Sequence, residues 1–138
     1  MTHPRQTIRE NLVALLTGLP LTGSHVYGSR VAPLAEADLP AIRVYADSSE
    51  SSAIDIHNLI RERGVIFRIE IVARATADLD DTLDAIAEDV EDALLTAPGS
   101  TWLGGELRDP ISDEIEVDDD TSQPVGICRM AISINTYA

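Results

Sequence analysis

The sequence predicts an α+β domain in which an antiparallel or mixed sheet carries two main amphipathic helices packed on one face. Three observations lead there. Apolar residues recur at helical spacing in two separate stretches, and residues 64–74 alternate strictly between two faces. The order of elements is helix, strands, helix, strands, without an internal repeat or a linker to a second domain.

The first helix rests on Ile8, Leu12, Leu15, Leu16 and Leu19, one stripe at spacings of four, three, one and three. Pro4 suits its first turn, and Gly18 with Pro20 marks its end. Pro20, Gly23, Gly28 and Pro33 then break the chain into turns around a short strand near Val26–Tyr27. From Leu39 to Asp47 the pattern alternates, with Ile42, Val44 and Ala46 on one side and Ala41, Arg43 and Tyr45 on the other. Pro40 lacks a ladder donor, so it begins that strand or lies on an edge. Residues 47–62 open with a polar, serine-rich run and read as a long mobile loop or hairpin arm.

Residues 64–74 form the clearest strand. Val65, Phe67, Ile69, Ile71 and Ala73 point one way, while Ile66, Arg68, Glu70, Val72 and Arg74 point the other, a side polar enough to be wet. The second helix follows on Leu79, Leu83, Ile86, Val90, Leu94 and Ala97, with Asp78, Asp80 and Asp81 at its positive dipole end. Pro98-Gly99 stops it. A strand at about Ile111–Asp118, a turn at Asp119–Pro124 and a final strand Val125–Tyr137 complete the chain. Cys128, Met130, Ile132 and Ile134 share one face of that last strand.

With 138 residues, 44% hydrophobic and 25% charged, the chain has the makings of one packed core and is not disordered. Its charge is lopsided. Eight arginines balance eight acids up to residue 75, whereas residues 76–138 carry two arginines against sixteen acids and hold the whole net charge of −14. Such a balance argues against binding a nucleic-acid backbone or an anionic membrane, both of which need a basic face. Arg5 and Arg9 ahead of Leu12–Leu16 superficially resemble a secretory signal, but Glu10 and Asn11 interrupt the run and a helix fits better. No stretch approaches the roughly 18 apolar residues of a membrane span.

Motifs for chemistry are missing. The phosphate-binding loop, the dinucleotide glycine pattern, H-E-x-x-H and G-x-S-x-G do not occur. His3, His25 and His57 fall in a terminus and two loops, too scattered for a metal site. Cys128 lies mid-strand on the apolar side and reads as a core thiol. An EF-hand loop counted from Asp118 would need a glycine at the sixth position and a glutamate at the twelfth, where Gln123 and Arg129 stand. The expectation is therefore a protein that is not an enzyme and takes no cofactor.

The most specific string is Gly28-Ser-Arg30-Val-Ala-Pro-Leu34-Ala-Glu36-Ala37-Asp38-Leu39-Pro40-Ala41-Ile42-Arg-Val44-Tyr45. It resembles the tail terminator (minor tail protein U) family of long flexible-tailed bacteriophages. That family combines an opening helix, a glycine–arginine turn, an E-A-D-x-P-A segment entering a strand, and an alternating strand like Val65–Ala73. An acidic helix and a D-D-D turn like Asp118–Asp120 lead into its last strand. Residues 47–62 and the connection 98–111 carry no recognisable family pattern.

The resemblance implies a homohexameric ring at the tail–head junction of the virion, assembled in the host cytoplasm. Such a ring caps the tail tube, halts its polymerisation and offers a surface to the head-completion or connector protein. DNA passes through without specific binding. On that reading Arg30, Glu36 and Asp38 either bridge protomers or only tie down their own turn. Asp47, Glu50, Asp55, Arg61 and Arg63 join them as candidate contacts with neighbours or the tube protein. Asp84, Glu88, Glu91, Asp118, Asp119 and Asp120 would line the bore or form a docking face. The rival from another class is an acidic DNA mimic that occupies a nucleic-acid-binding protein, which would explain the −14 but not the neutral first half.

Overall fold

The computed structural model describes residues 3–29, 31, 34, 36–53, 61–96, 106–107, 112–118 and 124–137. Helix α1 spans Pro4–Leu16 and helix α2 spans Leu79–Thr96. The strands are β1 (Val26–Tyr27), β2 (Ala41–Ala53), β3 (Arg61–Arg74), β4 (Glu106–Leu107), β5 (Ser112–Asp118) and β6 (Val125–Tyr137). They form one mixed, mostly antiparallel sheet in the order β1-β2-β3-β6, with β4 and β5 paired along the far side of β6. Only β1 runs parallel to its neighbour β2. The fold is α+β, as the periodicities predict.

Both helices lie on the same side of the sheet, and one cluster of buried side chains joins all three layers of contact. Ile8, Leu12 and Leu16 of α1 and Leu83, Ile86 and Val90 of α2 meet Val44, Phe67, Ile69, Met130 and Ile132 from the strands. Helix α1 leans on β1 and β2, and α2 on β3 and β6. His3 caps α1, its Nδ1 accepting the Arg5 backbone N–H at 3.1 Å. At the other end Thr17 is extended and Gly18 adopts a φ of 96°, a left-handed turn that glycine takes without steric penalty. Gly126 has a different reason: a Cβ there would lie 2.5 Å from the Leu79 side chain, so the start of α2 can sit close on β6.

Three elements add to or change the periodicity reading. First, residues 47–53, read as a mobile loop or hairpin arm, take the second form: they continue β2, and 48–53 pair with 61–66 of β3 as the stem of a hairpin. Serine and glutamate are weak strand formers, but the partner strand supplies the ladder; a bulge between Ala46 and Ser48 leaves Asp47 as the extra residue. The end of the arm, 54–60, lies outside the described residues, as does the turn 119–123. Second, the short strand β4 falls inside the connection 98–111, and a single 3₁₀ turn occupies Glu36–Asp38. Third, the side of β3 expected to be wet is partly closed: Ala41, Val72 and Ile127, neighbours across three strands, are buried there along with Glu70.

Candidate assembly surfaces

The helix-free face of the sheet is organised by charge. Register places Arg43, Glu70 and Arg129 side by side on β2, β3 and β6. The buried Glu70 carboxylate takes Arg43 Nη2 at 3.0 Å on one oxygen and Arg129 Nε at 2.9 Å on the other. Arg129 Nη1 also donates to Glu116 on β5, so the chain of ion pairs crosses four strands. Hydrogen bonds to Glu116 and Glu70 hold the Arg129 guanidinium above its already high pKa, with desolvation opposing. Farther along, Arg68 reaches Asp47 at 3.3 Å in a more exposed pair.

These contacts reassign one candidate. Asp47 is held by Arg68 of its own chain, and the bulge presents it sideways to that arginine. Glu50 is exposed on the hairpin stem, in an open depression with Ser48, Glu62, Gly64, Ser133 and Asn135, where Asn135 Nδ2 donates to Glu62 Oε1 at 2.7 Å. Arg63 sits on the opposite, helix-side surface of the stem; its buried Nε meets no hydrogen-bond partner among the described residues. Asp38 closes the 3₁₀ turn that Glu36 opens, and Arg61 begins β3. Arg30 and Asp55 lie outside the described residues.

The acidic candidates separate as well. Asp84 and Glu88 are exposed on α2, and Glu91 is half-buried one turn farther on. Asp118 ends β5, while Asp119 and Asp120 lie outside the described residues. Burial first, then the charges of Asp113, Asp84 and Glu91, push the Cys128 thiol up to about 11.

From sequence, Arg5 and Arg9 have no site role and are weighed only against a secretory signal. One helical turn apart, they line a polar depression with Gly28, Ser29, Tyr45 and Ala46 at the β1–β2 edge. Arg5 Nη1 donates to Ser49 Oγ at 3.2 Å. The signal available was their spacing of four residues without an intervening acid. Two sheet edges are also open among the described residues: β2 beyond the short β1, and the outer side of β5, where Ile115 and Val117 are about half exposed. Among the described residues, no group of three or more His, Cys, Asp or Glu is placed to hold a metal, and no helix is long and apolar enough to cross a membrane.

The sequence pattern of the phage minor tail protein U family matches residues 3–110, from the cap of α1 through β4. The chain belongs to that family. A phage minor tail protein is a structural component of the virion. No curated protein sequence matches the chain. Among solved structures, a chain from the virion of a native gene transfer agent particle is similar, at 18% identity and a TM-score of 0.49 over 95% of this chain and 93% of that one.

Proposed function

We propose that this minor tail protein U family member caps the phage tail tube as a hexameric ring, ends tube polymerisation and presents the surface to which the head attaches. Family membership carries the reading. The shape of the protomer supports it: a small domain with an open strand edge on each flank is suited to heterologous, head-to-tail contacts, which close into a ring when the rotation allows. The hairpin stem contributes Glu50, Arg61 and Arg63 to contacts with neighbours or tube, and the tube protein and the connector are the two axial partners.

Electron microscopy of tail tubes incubated with the purified protein tests this directly. The expected result is a sixfold ring on one tube end and no further growth when tube subunits are added. A ring of another symmetry, continued growth, or no binding overturns it.

A further inference from the structure

We propose that Arg5 and Arg9 of one protomer clamp the Asp84 and Glu88 carboxylates on α2 of a second copy of this chain, with Glu91 at the rim of the contact. The proposal rests on the ring reading above and names the residues of its protomer–protomer contact.

Three arginines of the sheet are paired within the chain. Arg43, Arg68 and Arg129 each reach a carboxylate of their own chain. Arg5 and Arg9 do not: among the described residues neither is bonded to a carboxylate, and Arg5 is held by the hydroxyl of Ser49 instead. Glu10, the nearest acid on α1, takes the side chain of Gln6 at 3.1 Å. Two guanidinium groups thus face a polar depression without counter-charge, in a chain where acids outnumber arginines 24 to 10.

The counter-charge exists on the opposite flank. Asp84, Glu88 and Glu91 recur at i, i+4 and i+7 on α2, and no basic residue occurs between Arg74 and Arg108. Like charges at that spacing repel along a helix, so both the arginine pair and the carboxylate stripe gain from an external partner of opposite sign. Their spacings match, since four residues advance each helix by about 6 Å, and guanidinium and carboxylate pair bidentately.

The sheet order sets the two sites apart within one chain and suits a contact between two. The arginines sit at the β1–β2 edge, whereas α2, which carries the acidic stripe, packs over β3 and β6. A positive site on one flank and a negative one on the other make a heterologous contact, in which each copy offers one of each.

Charge reversal tests the pairing. Prepare R5E/R9E and D84R/E88R in the full chain, confirm folding by circular dichroism and melting, and quantify rings on tail tubes at low salt. Milder R5Q/R9Q and D84N/E88Q variants stand in should a reversal fail to fold. Each altered protein alone is expected to lose at least tenfold in ring occupancy. A one-to-one mixture of the two reversed proteins, in which every acidic site again meets a basic one, should recover to within about threefold of wild type. Undiminished rings from either altered protein, or no recovery in the mixture, overturn the clamp while leaving the ring reading standing. Normal rings with slowed DNA ejection in D84R/E88R would place the stripe in the bore, also overturning it. Failure of the wild type to form rings at all removes the ring reading itself.

Discussion

Strand β3 has two faces that are built on different physics. On the helix side Val65, Phe67, Ile69, Ile71 and Ala73 are all buried in one apolar cluster. On the reverse side the run Ile66, Arg68, Glu70, Val72 goes from exposed to buried within a few residues, with Ile66 40% exposed and Val72 4%, and Arg74 beyond it is exposed again. Burial of apolar surface is non-directional and tolerates many partners. The reverse face instead depends on register, because Glu70 meets two arginines only if three strands align to the residue. One face is secured by volume and the other by position.

Removing volume from the helix side should have the largest effect. Phe67→Ala, at the centre of the cluster, is expected to lower unfolding free energy by about 3–5 kcal/mol in denaturant titration. On the reverse face Glu70→Gln takes the shared counter-charge from Arg43 and Arg129; because both keep some contact with water and Arg129 keeps Glu116, the expected loss is about 2–3 kcal/mol, below that of a fully buried pair. A loss as large as that of Phe67→Ala would mean that position matters as much as volume.

The helix side carries a pH signature. Cys128 titrates near 9.0 when unfolded and at about 11 when folded. The unfolded chain therefore releases its proton first, and stability, complete below pH 9, falls as pH rises toward 11, by roughly 2 kcal/mol in all. Melting curves across this window should lose that component in Cys128→Ala. A thiol that reacts with iodoacetamide at pH 8 without unfolding would contradict the burial.

Smaller effects separate exposed from buried charge. Asp47→Ala removes the Arg68 pair, both of whose partners are well exposed, and is expected to change stability by no more than about 1 kcal/mol. Smallest is the His3 cap. Desolvation, then the charges of Arg5 and Arg63, hold its imidazole below the usual range, so the neutral, bond-accepting form is favoured. The cap is intact above pH 6.5 and weakens as pH falls through the folded value; His3→Asn, which caps without titrating, should abolish that acid dependence.

Those two faces also explain how far the sequence could be read. Helix and strand periods follow from one-dimensional spacing, so α1, α2 and the cores of β2, β3 and β6 emerge nearly to their ends. The stem 47–53 did not, because a serine-rich segment becomes strand only through a partner that lies eight or more residues away. The Arg43–Glu70–Arg129 bridge was invisible for the same reason: its members are 27 and 59 residues apart, and only the register unites them. Arg5 and Arg9 were visible as residues, yet their lack of a counter-charge is a property of the folded neighbourhood, not of their spacing.

The exposed edge of β5 bears on whether copies of this chain aggregate. Its Ile115 and Val117 are set among Asp113, Glu114, Glu116 and Asp118, so every apolar residue has an acidic neighbour on each side. A second β5 laid against it would bring carboxylates together along the whole ladder, and like charges across a strand pair repel. The acids act as gatekeepers against fibrillar growth from an edge that is otherwise sticky. Among the described residues that edge stays unpaired, and its charge suits it to a surface of the opposite sign.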